Sequence, residues 1–463
     1  MTGLWETGEM LVSPQNQNIR EAKMNNNHIS RRSLLGATAA AGLYGLTGPR
    51  AYGAEVNWKK YAGTTLEANL VKGPRGELLQ KYAAEFTELT GIKVESEIIP
   101  EQQQRQKAVI ELTSGKPSFD VIHLSYHVQK RQFDRAGWLA DMTAFMNDPT
   151  MTTPDLKVSD FSAGGLKFAQ NDKGEMHSLP WSVDYFILYW NKEIFAKKGV
   201  ALPKTFDEML AAAEKLNDPA NGIYGYTGRG LRNANMALWT NFFLNYGGEF
   251  LDDKGNILTD GPEAIAATTF YQKLMKFAPP GVAGFNWMES MASFTQGRAA
   301  MWIDADGWAP PIEDPNASRV VGKTGYALVP AGPKGQYSST YGDGIGICQA
   351  STKKEAAYLY CQWAVSKTMG ARLLQSGGGV PFRNSILNDE TVRKGVKTQE
   401  WLDSVVASAK ISKLGLPIIV PVAEFRDIVG SALTATLSGA DPATELKKAN
   451  DQFRPILERS EKT

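Results

Sequence analysis

In TTLEANLV the apolar residues Leu66, Ala68 and Leu70 alternate with Glu67 and Asn69, the period of two that a strand requires. KGPRG interrupts the pattern. Across ELLQKYAAEFTELTG the apolar positions Leu78, Tyr82, Phe86 and Leu89 then fall on one side of a helix that Gly91 stops. IKVESEII alternates again, a polar helix follows over residues 101–114, and FDVIHLS reads as a nearly continuous apolar strand. This β-α-β-α-β order predicts a parallel sheet covered by helices on both faces.

The same alternation of periods returns downstream. TFDEMLAAAEKLND opens with a capping box, Thr205 and Glu208, and STKKEAAYLYCQWAVS with a second, Thr352 and Glu355. DGPEAIAATTFYQKLMKF is a further amphipathic helix, YALVP and YGDGIGIC read as strands, and two helices over residues 421–438 and 441–457 close the chain. In FTQGRAAMWIDADGW a helix ends at Gly297, Ala299, Met301 and Ile303 alternate with Ala300 and Trp302, and Asp306 and Trp308 lie in the loop beyond. With 463 residues and neither short repeats nor a low-complexity linker, two α/β lobes fit better than a string of independent domains.

Composition adds limits rather than identity. The formal net charge is +1, and a near-neutral body argues against nucleic acid or an anionic membrane as the main partner. At the N-terminus, Arg31 and Arg32 precede thirteen uncharged residues, 34–46. That run is too short and too weakly apolar to span a bilayer and has the form of a twin-arginine export signal. Residues 1–54 are accordingly read as a signal region, with Met24 as an alternative start and residues 1–23 as a start-site artefact, and the exported chain as soluble and periplasmic. Two cysteines, Cys348 and Cys361, exclude a disulfide-dense fold or a thiolate-rich zinc site. Two buried thiols are favoured over a strand-to-helix disulfide.

Ligands of parallel sheets sit beyond the carboxyl ends of the strands. That rule selects Arg75 in KGPRGE, His127 in SYHVQ, Trp181, Asp184 and Tyr185 in LPWSVDYFILYWN, and Asp306 and Trp308 after the strand ending near 303. An indole face beside carboxylates suits a sugar, whose C–H face stacks while its hydroxyls donate to the acids. Trp302, on the strand itself, reads as core. The glycine-rich stretch around Arg229, Asn233 and Trp239 is a weaker candidate. No H-E-x-x-H, G-x-S-x-G or Walker loop occurs. No catalytic residue, metal or cofactor is expected.

The ordered series AEFTELTGIKV, FDVIHLS, GWLADM, LPWSVDYFILYWNKEIF, FTQGRAAMWIDADGW, GGVPFRNS and ATELKKANDQFRPIL resembles the maltose-binding-like, sugar-binding proteins of ABC importers. The resemblance implies a two-lobed periplasmic-binding-protein fold. Each lobe is expected to hold a mainly parallel sheet flanked by helices, with lobe 1 at 55–183 and 328–376 and lobe 2 at 184–327 and 377–463. It further implies a monomer that takes a saccharide or polyol into the interlobe cleft, closes by a hinge, and is read by an ABC permease. Carried over by position, it adds Tyr341 and Asp343 on the returning strand and Arg383 in a Pro-x-Arg element to the ligand-binding candidates. GPR in the first loop departs from the acid–base pair of maltodextrin-type members and leaves the sugar open. Two alternatives remain: a receptor of this fold for a polyamine or organic anion, and an exported carbohydrate-active enzyme.

Overall fold

The β-α-β-α-β start is present as β1 (Thr65–Val71), helix Pro74–Thr90, β2 (Lys93–Ile99), helix Glu101–Thr113 and β3 (Val121–Ser125). The structure, a computed structural model, describes residues 56–462, so the Arg31–Arg32 segment lies outside the described residues. Gly91 ends the first helix with a left-handed φ of 71°, which a side chain would oppose. Its buried stripe runs through Leu79 and Phe86 to Thr90, and Leu89 is exposed. The stripe read from sequence was thus turned by about one residue, because Leu78 and Leu79 are equivalent until packing chooses between them.

β4 (Leu179–Asn191) is thirteen residues long and organises everything that follows. Its first half pairs antiparallel with β7 (Ser338–Ile347), from Leu179 opposite Ile345 to Tyr185 opposite Thr340. Its second half pairs antiparallel with β5 (Met301–Ala305) and β6 (Thr324–Leu328). β8 (Val380–Pro381) joins β4 at Ser182 and Val183, and β9 (Ser412–Leu414) runs parallel to β7. The parallel run expected from sequence is therefore confined to β2–β1–β3 and the β7–β9 edge. The crossing strands make the sheet mixed, with β7 antiparallel to β3.

Buried apolar residues form two clusters. Leu66, Phe86, Leu124, Phe133, Tyr358, Leu373, Phe382 and Trp401 belong to the first. Leu188, Phe195, Met209, Trp239, Phe242, Phe270, Val429 and Phe453 belong to the second. Each fully buried Leu or Phe of this kind contributes about 1.5–3 kcal/mol relative to exposure. Along the second half of β4 successive side chains alternate between the clusters: Phe186 and Leu188 to the second, Ile187 and Tyr189 to the first. Burial on both faces explains why FILYW reads as an unbroken apolar run.

Half of the Thr205 box forms: its hydroxyl accepts from the Glu208 amide at 3.2 Å, while the Glu208 carboxylate accepts from the Lys204 amide at 2.7 Å rather than from that of Thr205. The box at Thr352 does not. That helix begins at Lys354, and Ser351 instead accepts from the Lys353 amide at 3.0 Å. Cys348 and Cys361 are both buried free thiols.

Candidate functional site

The carboxyl ends of β1 and β3, the middle of β4 and β7, and the end of β5 converge on one cavity, the position at which α/β sheets bind small molecules. Its walls come from both clusters' elements. Lys72, Arg75, Glu101, Arg105, His123 and His127 come from the first half of the fold, and Arg229, Trp287, Trp308 and Arg426 from the second. Asp184, Phe186, Tyr341 and Asp343 come from the crossing strands.

One end of the cavity is acidic. Arg75 donates from Nη2 to Asp184 and from Nη1 to Asp343. One guanidinium thus holds two carboxylates. His123 accepts the Val71 amide on Nδ1 at 3.4 Å, and its Nε2 faces Asp343 at 3.3 Å. Burial alone would raise the Asp343 carboxyl, but Arg75 and the neighbouring histidines hold it below the ordinary carboxylate range. Burial, with Asp343 close by, outweighs Arg75 at Asp184 and raises that carboxyl. Asp306 is fully buried, and no donor reaches either of its oxygens in good geometry. Burial first, and the Asp184 charge second, push it well above the ordinary range, which favours its protonated form beside Asp184.

A carboxyl raised on folding contributes stability that is complete below its unfolded value, near pH 4, and is lost as pH climbs toward its folded value. Asp306→Asn keeps a donor toward Asp184 and removes the titration. The variant is expected to have a higher urea midpoint than the parent at neutral pH. Its midpoint should also decline less between about pH 5 and 8; equal slopes for the two proteins would contradict the protonated assignment.

The other end is basic. Glu101 and Arg105, one helical turn apart, form an ion pair at 2.5 Å. Arg105 also donates to Ser125 Oγ at 2.9 Å and lies 3.4 Å from His127 Nε2. Burial opposes the Glu101 charge, but Arg105, Arg229 and Arg426 overcome it and hold the carboxyl down at about 2. Burial, then Arg105, lowers His127 to about 3, so its imidazole is neutral. An aromatic pair completes the lining. Trp308 stacks on Trp287 with centroids 4.3 Å apart and planes 14° apart. Its Nε1 donates to Asp304 at 3.1 Å, and Asp304 in turn accepts a bidentate pair from Arg229, 2.8 Å at Nε.

Of the residues selected from sequence, Arg75, His127, Asp184, Arg229, Trp308, Tyr341 and Asp343 line this cavity. Asp306 lies behind Asp184, and half-buried Tyr185 packs against the first cluster. Asn233 is off the wall. It has the only positive φ of a non-glycine among the described residues, 64°, and bridges Gln102 and Asp427 at 2.9 and 2.8 Å. Three candidates fall elsewhere and correct the sequence reading. Trp181 is buried edge-on against the His123 ring, and Trp239 is fully buried with its indole donating to Thr268 at 2.8 Å. Arg383, 1% exposed, donates to Asp160 at 2.8 Å and ties down the 155–160 segment. Glu101, Arg105, His123, Trp287 and Arg426 were not selected from sequence.

The sequence profile of the bacterial extracellular solute-binding proteins matches residues 72–371. A probable amino-acid ABC transporter periplasmic-binding protein of Sinorhizobium fredii is 29% identical over 379 residues, 79% of this chain and 84% of that protein. The erythritol/L-threitol-binding protein of Mycolicibacterium smegmatis is 26% identical over 84% of this chain and 85% of its own length. An ABC transporter solute-binding protein from Agrobacterium radiobacter K84, solved with ribitol, has a TM-score of 0.78 at 27% identity and covers 85% of this chain and 99% of its own.

Proposed function

Since this chain belongs to the bacterial extracellular solute-binding protein family, we propose that it captures a saccharide or polyol between its lobes and presents it to the permease of an ABC importer. The observation that carries this reading is a cavity lined by both the Trp287–Trp308 stack and the Arg75-held carboxylates. An indole face takes the C–H side of a polyhydroxylated chain or ring, and ionised acids accept its hydroxyl hydrogens. Ligands of the Mycolicibacterium and Agrobacterium relatives, erythritol or L-threitol and ribitol, are of this chemistry.

Solute touching both lobes stabilises the closed arrangement, and β4 and β7 are the strands about which closure would turn. The proposed lobes are 55–183 with 328–376 and 184–327 with 377–463. The core clusters follow that division in part: Met209, Phe242 and Phe270 pack in the second cluster, but Phe294, Trp302, Ile312 and Tyr326, and Val380, Phe382, Ile386, Trp401 and Val405, pack with the first. Export through Arg31–Arg32 to the periplasm and a monomeric state complete the proposal. Among the described residues no helix is long and apolar enough to cross a membrane. No hydrolytic step is assigned, since Asp184 and Asp343 are both committed to one arginine rather than disposed as a free acid and base across a bond.

A thermal-shift screen of sugars, alditols, amines and amino acids tests the assignment. A true ligand at 100 times its Kd adds about 2.7 kcal/mol of apparent stability. Response to amines or amino acids alone would overturn the polyol reading. Trp308→Ala is expected to weaken the responding ligand about tenfold. A loss of about 3–5 kcal/mol in the unliganded variant would instead make Trp308 a core residue.

A further inference from the structure

The basic end of the cavity holds more positive charge than its own acids neutralise. Arg229 is satisfied by Asp304 in a bidentate pair. That leaves Glu101 as the single carboxylate for both Arg105, on helix Glu101–Thr113, and Arg426, on helix Val422–Leu437. Both guanidinium groups line the cavity, and the two residues are only 6% and 3% exposed. Arg105 has Nε and Nη1 without a partner, and Arg426 has Nε without one, its Nη2 donating only to the Asn233 carbonyl at 3.1 Å. Buried ionised groups are ordinarily paired, and an unmatched one costs several kcal/mol. Burial and the repulsion of Arg105 lower Arg426 to about 10, in keeping with a cation short of counter-charge.

The two arginines also come from opposite lobes. Closing the cleft without ligand brings two cations together across a shared Glu101, whereas an anion lodged between them turns that repulsion into two charge-assisted contacts. We propose that the solute is a polyhydroxylated carboxylate, an aldonate or uronate, whose carboxylate sits between Arg105 and Arg426 while its hydroxyls meet Asp184, Asp343 and the Trp308 face. The assignment rests on the receptor reading above and narrows it. A neutral alditol fills the hydroxyl end of this site and leaves the buried surplus charge unmet.

Calorimetric titration of the purified full-length protein with matched pairs tests it: D-gluconate with D-glucitol, D-mannonate with D-mannitol, D-ribonate with ribitol, D-galacturonate with D-galactose. At least one acid is expected to bind ten times or more tighter than its neutral partner. Arg426→Gln and Arg105→Gln should each cut the affinity for that acid about tenfold to hundredfold. Arg426→Lys, which keeps the charge but not the planar fork, should retain part of it. Unliganded melting curves identify any variant that has failed to fold, and the remaining variant then carries the test. If neutral members bind as tightly as the acids, the anionic assignment fails and the polyol receptor stands. If no member of any pair binds, both fail. An acid preference untouched by either glutamine variant puts the anion elsewhere and overturns the proposed subsite.

Discussion

Arg75→Met is expected to lower the stability of the folded protein by about 3–5 kcal/mol at neutral pH, the usual cost of stripping one partner from a buried ion cluster. Arg75 and its two acids are each exposed at 15% or less, and no second cation is bonded to both Asp184 and Asp343. Without the guanidinium these two largely buried carboxylates face each other beside Asp306, a third buried acid. The deficit has a defined pH dependence. In the parent, Asp343 is held low, so its contribution is present above the unfolded value near pH 4 and is lost only on further acidification. In the variant the same group is freed to take up a proton in the folded state, so its folded value moves above the unfolded one. The deficit therefore shrinks as pH falls toward about 5. Urea titrations at two pH values measure this directly. A deficit below about 1 kcal/mol that does not change with pH would mean that Arg75 behaves as a solvated surface ion. Solute binding is expected to fall as well, because the function proposed above uses these two acids as its hydroxyl acceptors.

Asp304→Ala is the second change with a large expected effect, again about 3–5 kcal/mol. Asp304 is fully buried and accepts both arms of Arg229, the Ala305 amide at 2.8 Å and the Trp308 indole. Its loss strands a buried arginine that also lies 5.6 Å from the Phe186 ring centre. Asp304→Asn, which still offers one acceptor oxygen, should cost less. The same substitution releases the indole that forms the aromatic wall, so ligand affinity falls through Trp308. A double-mutant cycle with Trp308→Ala separates that route from a global one. Losses in affinity well short of additive are expected for a side chain that acts by holding Trp308, and strictly additive losses would show the two residues to be independent.

Much of this was legible in the chain because strands and the loops beyond them are local features. Apolar alternation located β1, β2 and β5, and the strand-end rule led to Arg75, His127 and Trp308. The resemblance of the ordered motifs to importer receptors supplied Tyr341 and Asp343. What failed was the choice between core and cleft for side chains that look alike in sequence. Trp181 was selected by the same rule as Trp308, and Trp239 as a weaker candidate, and only packing distinguishes an indole bonded to Thr268 from one bonded to Asp304 on the cavity wall. Arg105 and Arg426 were missed for a different reason. Each sits inside a helix where an arginine reads as solvated, and 321 positions separate them; the chain places them together only after both lobes have folded. Arg383 shows the converse, since a motif position typical of a cleft is here filled by a residue that clamps Asp160.

The two-sheet strand β4 also restricts how such a receptor can diversify. Because its side chains alternate between two cores, gaining or losing one residue between Val183 and Phe186 would exchange the faces of Ile187, Leu188 and Tyr189. It would also turn Asp184 away from Arg75. Substitution at 184 is open to descent with modification; a change of length is not. The loops that follow β1 and β5, and the segment 229–235, carry no such two-sided register. Insertions and deletions that retune solute choice among descendants should accumulate there, leaving the length of the crossing strand as an inherited constant.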